Sequence, residues 1–402
     1  MTLAAADAAA NVNLGRMRGR RAFVIVVDAC GVGALPDASD YGDSGANTLL
    51  HVAQLVGGLR LPVLGSLGLG NILALPGVPA VAAPALHGRL HPLGPGKDST
   101  SGHWELMGVT VTAPPPTYAG ALPADLVSLI EESIGRGVLC ARPYDGLDAI
   151  DHFGAEHLAT GRPILYTSQD SVLQLAAHTA VMGEAELHSA CAGLRDALRS
   201  GPHAVWRVIA RPFAGTPGAF ERTLGRRDFT LAPPSRSYLD LLRAAGAAVH
   251  GVGKAASLFP PEAFSATHPG ATNAEALAAL DALVAELEAG LVFANLIDTD
   301  QRYGHRHDAA GFHEALQLID TALGRWLPGL GEDDLLVISA DHGCDPAAAH
   351  TDHTREYAPL LARFAGAGSR RHDGPLADVG ASVFEWLTGE RAALVGGSFI
   401  DA

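Results

Sequence analysis

The 402 residues are 48% hydrophobic and 18% charged, which excludes a disordered chain and, at this length, favours two domains over one core. With 43 acids against 28 bases the formal net charge is −15, a surface that repels nucleic acid and anionic membrane, so neither is an expected partner. Cys30, Cys140, Cys191 and Cys344 are widely spaced with no Cys-x-x-Cys pair; this argues against a disulfide framework or zinc knuckle and fits a reducing, cytoplasmic location.

Residues 1–20 are alanine-rich and then carry Arg16, Arg18 and Arg20. A secretion signal has its charge before its apolar segment, so the reversed order reads as a flexible N-terminal extension. Phe23-Val24-Ile25-Val26-Val27 is a short continuous apolar run ending in Asp28, the pattern of a strand buried on both faces. Residues 61–86 are apolar but broken by Pro62, Pro76, Pro79 and Pro84, a poor membrane span. In Gly96-Lys97-Asp98-Ser99-Thr100-Ser101-Gly102-His103-Trp104-Glu105, three hydroxyls precede an expected helix start. Backbone N–H groups and the helix dipole favour a phosphate or a nucleophilic oxygen there. A plain Ser/Thr N-cap is the alternative for any one of them.

Pro114-Pro115-Pro116 and Pro233-Pro234 bracket the middle of the chain, stiff segments suited equally to hinges between domains and to ordinary loops. Strand-like runs at 163–167 and 205–210 suffice for an inserted α/β domain over 113–231, leaving 21–112 and 232–402 as the core domain. Arg207 sits in the second run, and Lys254 follows Val252-Gly253 at an expected strand end. Thr272-x-x-Glu275 reads as a capping box for a helix with Leu277, Leu280, Val284 and Leu287 on one face and Gly290 as its stop. A second apolar run, 291–297, ends in Asp298, with Asp300 and then His305 close behind. Asp308 suits the cap of a further helix with Phe312, Ala315, Leu316, Ile319, Leu323 and Trp326 at helical spacing. A third run, 335–340, ends in Asp341-His342-Gly343, and Asp352-His353-Thr354 follows. Strand and helix alternate, predicting a doubly wound α/β fold, in which function collects at the carboxyl ends of the strands.

The acids at those ends, with His305, His342 and His353, point to metal. Carboxylate plus imidazole suits divalent manganese, zinc or iron, whereas a magnesium site shows fewer histidines. Two carboxylates about 4 Å apart repel by about 4 kcal/mol at an effective dielectric of 20, so Asp28, Asp300 and Asp341 need counterions if they converge. Two divalent cations would leave such a site with a net positive charge, able to attract a phosphate inside an acidic protein. A hydroxyl from 99–101 beside them would be an activated nucleophile.

These residues carry a family likeness. The chain resembles bacterial phosphopentomutases (phosphodeoxyribomutases), within the alkaline phosphatase superfamily, over nearly its whole length after residue 20. The match runs through residues 27–33, 42–48, 96–105, 166–171, 207–213 and 341–356. The 97–105 block is specific to that family, and Asp-His-Gly is shared across the superfamily. The resemblance implies an alkaline-phosphatase-like core sheet with a smaller inserted α/β cap that closes against water. It implies one manganese on Asp28, Asp341 and His342 and another on Asp300, His305 and His353, with Mg2+ or another divalent ion as alternatives. Ser99 matches the family nucleophile, usually threonine; Cys344 stands where the pattern often has asparagine; Asp298 matches an acid that orients a ligand or an incoming group. Asp170, Arg207, Arg222 and Lys254 match contacts to the sugar or its distal phosphate. The implied activity interconverts the 1- and 5-phosphates of ribose and 2-deoxyribose through a phosphoserine, in nucleoside salvage, with a sugar bisphosphate as activator. The competing expectations are a phosphatase or phosphoglycerate mutase on the same metal core, or a catalytically idle metal-binding protein. On residue chemistry alone Thr100 and Ser101 stay open as nucleophiles.

Overall fold

The computed structural model describes residues 19–113, 116–168 and 171–400; the expected extension lies almost entirely outside them. The chain forms two compact units, one from residues up to Ala113 together with Pro233 onward, the other Pro114–Ala232.

The first unit is built on eight strands: β1 (Arg21–Val27), β2 (Leu86–His91), β3 (Val249–Val252), β4 (Ala266–His268), β5 (Gly290–Leu296), β6 (Asp334–Ser339), β7 (Ala358–Arg363) and β8 (Gly374–Pro375). Their spatial order is β4-β3-β5-β1-β6-β7-β2-β8. The strands from β4 to β6 pair in parallel, while β7 runs antiparallel to both neighbours. Every residue of β5 and β6 and all but the first of β1 are buried, which is why these runs are apolar without alternation. Register then places the site. Val27 pairs with Leu296 and Val26 with Ser339, so the chain leaves β5, β1 and β6 side by side, each followed within a few residues by an acid.

Three helices matter to the site or its support: α1 (Ser99–Leu106), α2 (Asn273–Glu286) and α3 (Ala309–Trp326). α1 begins at Ser99 and is capped by Asp98, so the three hydroxyls lie inside its first turn rather than ahead of it. At α2, Thr272 Oγ1 accepts from Glu275 N (3.3 Å), but Glu275 Oε2 accepts from Ala271 N (3.0 Å), one residue before the cap. Gly290 is not the stop of this helix. It opens β5 at φ 124°, where a Cβ would strike the Ala248 carbonyl. α3 has Asp308 as its cap and buries Phe312, Ala315, Leu316, Ile319, Leu323 and Trp326.

The second unit has the strand order Leu139–Pro143, Ile164–Thr167, Val172–His178, Arg207–Thr216, Ala219–Arg222, with Arg227–Thr230 also paired to Arg207–Thr216. One face packs Leu126 and Ile130 of helix Ala124–Ile134 and Leu187, Cys191 and Leu194 of helix Glu184–Ala197. The other packs Ala149 and Ile150 of helix Gly146–Thr160.

Candidate metal centre

Asp28, the first residue past β1, is fully buried. Its Oδ2 accepts from Lys254 Nζ (3.0 Å) and Asn295 Nδ2 (2.9 Å), and its Oδ1 faces His342 Nε2 at 3.4 Å. The next residue, Ala29, takes a left-handed φ of 62°, a strained turn for a side chain with a Cβ; its N–H donates to Asp341 Oδ1 at 3.2 Å. Asp341 Oδ2 lies 3.3 Å from His103 Nδ1 and 3.4 Å from His342 Nε2. Across the cluster, Asp300 Oδ1 faces the Nε2 atoms of His353 (3.3 Å) and His305 (3.4 Å). The His342 and His353 rings stack with centroids 3.9 Å apart. Ligand atoms of Asp28, Asp341 and His342 lie within 4.8 Å of one another, as do those of Asp300, His342 and His353, and those of Asp300, His305 and Cys344.

These residues fit divalent ions for a specific reason. His305 Nδ1 is 2.6 Å from the Thr351 carbonyl and His342 Nδ1 is 3.1 Å from the Gly343 carbonyl. A carbonyl only accepts, so in the neutral ring Nδ1 carries the proton and Nε2 presents a lone pair. Those lone pairs point at carboxylate oxygens, and Asp28 Oδ1, Asp300 Oδ1 and Asp341 Oδ2 are buried with no hydrogen-bond partner. Acceptor facing acceptor without a proton between them is repulsive; a bound cation makes it favourable.

The same crowding sets the proton affinities. Burial, then the charge of Asp341, holds the Asp28 carboxyl well above the usual range, against the pull of Lys254. Burial also works against ionisation of Asp300, but His353 and Lys254 outweigh it and leave that group well below normal. Asp341 is treated likewise: burial raises it, while His342, His103 and Lys254 hold it far down. Burial pushes His342 down to about 4, so its ring is neutral at neutral pH, the form in which an imidazole can bind a cation.

Ser99 is the first residue of α1, and all eight residues of that helix are buried. Its Oγ lies 2.5 Å from Lys254 Nζ and 3.0 Å from His342 Nε2. Ser101 Oγ instead donates to the carbonyl (2.9 Å) and carboxylate (3.0 Å) of Asp98, so its hydroxyl is committed to the cap. Gly102 lets α1 rest on the ligand loop, since a Cβ there would come within 2.7 Å of Asp341 Cβ.

The structure thus brings Asp28, Asp300, His305, Asp341, His342, His353, Ser99 and Lys254 together. The Lys254 ammonium lies on Ser99 and Asp28. Arg207 opens the strand Arg207–Thr216 of the second unit, 3.8 Å from Asp228 Oδ2. Arg222 closes a neighbouring strand of that unit, its charge acting on Tyr166. Asp170 lies outside the described residues. Asp298 donates its backbone N–H to Asn273 Oδ1 at 3.0 Å, and among the described residues its carboxylate makes no hydrogen bond to a metal-centre side chain.

Sequence reasoning missed four supporting groups. Asn295 bridges Asp28 Oδ2 and His103 Nε2 (3.2 Å); a polar residue inside a fully buried strand was the available signal. His103 Nδ1 lies 2.8 Å from the Ser99 carbonyl. Thr299 Oγ1 donates to the Asp28 carbonyl at 2.7 Å. Glu356, buried, accepts from Thr48 Oγ1 and Thr354 Oγ1, both at 2.6 Å, and fills the space beside Gly31 and Gly343, where any Cβ would strike its carboxylate. Gly343→Ala is therefore expected to push apart the loop carrying Asp341 and His342. Overpacking of this kind costs about 1–3 kcal/mol, to be read from urea unfolding, and metal affinity should fall with it; unchanged values of both would dismiss the clash.

The model of the Metalloenzyme superfamily matches residues 20–390, so fold and centre together define a divalent-metal enzyme of that superfamily. The phosphopentomutase of Anaeromyxobacter dehalogenans is 46% identical over 95% of this chain and 98% of its own length. That of Carboxydothermus hydrogenoformans is 46% identical over 85% and 88%, and that of Caldanaerobacter subterraneus 44% over 91% and 94%. The chain belongs to the phosphopentomutase family. Among the described residues no helix is long and apolar enough to cross a membrane.

Proposed function

We propose that this chain interconverts ribose 1-phosphate and ribose 5-phosphate, and their 2-deoxy forms, through phosphorylated Ser99. Asp28, Asp341 and His342 would hold one divalent ion and Asp300, His305 and His353 a second, manganese foremost. The observation that carries the reading is Ser99 Oγ beside Lys254 Nζ and His342 Nε2, at the rim of three converging carboxylates. When bound, the ions supply the Lewis-acid charge that polarises a phosphoryl group and lowers the proton affinity of the serine hydroxyl.

The rest is the work of the chain. Phosphorylated Ser99 gives its phosphoryl group to the free hydroxyl of a pentose monophosphate: the sugar O–P bond forms, the Oγ–P bond breaks, and the hydroxyl proton ends on Oγ. The resulting bisphosphate returns its other phosphoryl group to Ser99 by the same steps in reverse, so neither water nor free phosphate is consumed. Lys254, donating to Oγ, stabilises the charge that develops as Oγ leaves. Arg207, Arg222 and Asp170 are offered by sequence resemblance as contacts to the sugar and its distal phosphate, arginine being suited to bidentate phosphate binding. A sugar bisphosphate would prime Ser99, and nucleoside salvage in the cytoplasm is the setting that follows.

The purified protein, given manganese, a trace of sugar bisphosphate and either pentose phosphate, is expected to form the other, followed by phosphorus NMR. Release of inorganic phosphate with no isomer formed would instead favour a phosphatase.

A further inference from the structure

We propose that the Cys344 thiol is a further ligand at the Asp300–His305 position and shifts the preference of that one position away from manganese, the ion that family likeness suggests, toward a borderline-soft ion, zinc or cobalt. The inference rests on the metal reading above and adds a donor to it.

Cys344 is 1% exposed, two residues past His342, on the loop that leaves β6. One ligand atom each from Cys344, Asp300 and His305 lie within 4.8 Å of one another. Donors held 2.0–2.3 Å from a tetrahedral ion stand roughly 3.5 Å apart, so closure asks for shifts of about 1 Å. Independently of the thiol, Asp300 Oδ1 is buried with no hydrogen-bond partner, an acceptor that a cation would satisfy. The surroundings of the thiol offer it little else. Its Sγ is 3.8 Å from the Asp352 carbonyl and 4.0 Å from His305 Nδ1, contacts at the weak end of sulfur hydrogen bonding. The backbone fixes where it points: Cys344 N–H donates to Thr48 Oγ1 at 3.1 Å, and Gly304, one residue before His305, leaves room for it, a Cβ there coming within 3.0 Å of Sγ. Among the described residues, no candidate ligand group includes Cys30, the other cysteine of this region.

The chemistry gives the choice of ion. Thiolate selects zinc and its borderline neighbours, whereas carboxylate and water suit magnesium and manganese. Binding forms the Sγ–metal bond and releases the thiol proton to solvent.

The full-length protein, freed of metal and titrated with Co2+, provides the test. Bound cobalt is expected to show visible ligand-field bands together with a sulfur-to-cobalt charge-transfer band in the near ultraviolet. Cys344→Ser should keep the former and lose the latter, Cys30→Ser should keep both, and the preference for zinc over manganese should fall about tenfold or more in Cys344→Ser. Ligand-field bands without the charge-transfer band in the unaltered protein, or a band that survives Cys344→Ser, would overturn the proposal while leaving the metal reading intact. Failure of cobalt to bind at all would overturn both. The unaltered protein alone decides the main point, so a Cys344 variant that does not fold leaves the test standing.

Discussion

Ser99→Ala is expected to lower turnover by about 10⁴-fold or more, the scale seen when an acting nucleophile is removed, with the protein still folded and still binding metal. The expectation follows from which hydroxyl is available. Ser99 Oγ is the one in contact with Lys254 and His342, at the first position of a helix whose N–H groups would face a phosphate carried there. Ser101, two residues further along, is engaged with Asp98 in a reciprocal cap. Ser101→Ala should therefore cost about 1 kcal/mol of stability and leave most of the turnover. Ser99→Thr presents the same hydroxyl on the same backbone and should retain activity. Intact-protein mass spectrometry separates these cases: incubation with a sugar bisphosphate should add one phosphoryl group to the unaltered chain and none to Ser99→Ala. Phosphorylation of the alanine variant would move the nucleophile elsewhere.

How much of this was legible beforehand depends on the kind of interaction. β1, β5 and β6 could be read because strands buried on both faces need unbroken apolar runs, and an acid ending such a run stands out. That Asp28, Asp300 and Asp341 converge required more, namely that β5, β1 and β6 are neighbours in register; the sequence implied it only through family likeness. The antiparallel direction of β7 has no compositional mark, since Ala-Pro-Leu-Leu-Ala-Arg reads the same in either sense. Gly290 is ambiguous in sequence, because a glycine after an amphipathic helix suits a helix stop and also a tight strand entry. The hardest features to foresee are backbone groups. The carbonyls of Thr351 and Gly343 set the histidine tautomers, and nothing about residue type reveals them. Glu356 is similar: its role comes from two glycines, Gly31 and Gly343, more than three hundred residues apart in sequence.

Stripping the protein of both ions with a chelator is expected to abolish turnover and to lower its melting temperature by roughly 10–20 °C. Each ion present about 100-fold above its dissociation constant adds about 2.7 kcal/mol to folding, and for a domain of this size each kcal/mol moves the midpoint by about 2–4 °C. Without ions, Asp28, Asp300 and Asp341 crowd around the Lys254 ammonium, and Asp28, held well above the usual carboxyl range by burial and Asp341, is the group that takes up a proton first. That proton must leave before an ion can bind, so the sign of the pH effect is fixed. Metal affinity should rise with pH and level off once Asp28 is ionised in the stripped protein, whereas His342 opposes binding only where its ring is protonated, near pH 4 and below. Titration calorimetry in buffers of different ionisation enthalpy should show protons released on binding, more of them at lower pH. Asp28→Asn removes the competing proton together with the ligand charge, and should weaken binding while flattening its pH dependence. A chelated protein, shown to be metal-free, that melts at the same temperature and keeps its activity would remove the basis for assigning these buried acids to metal.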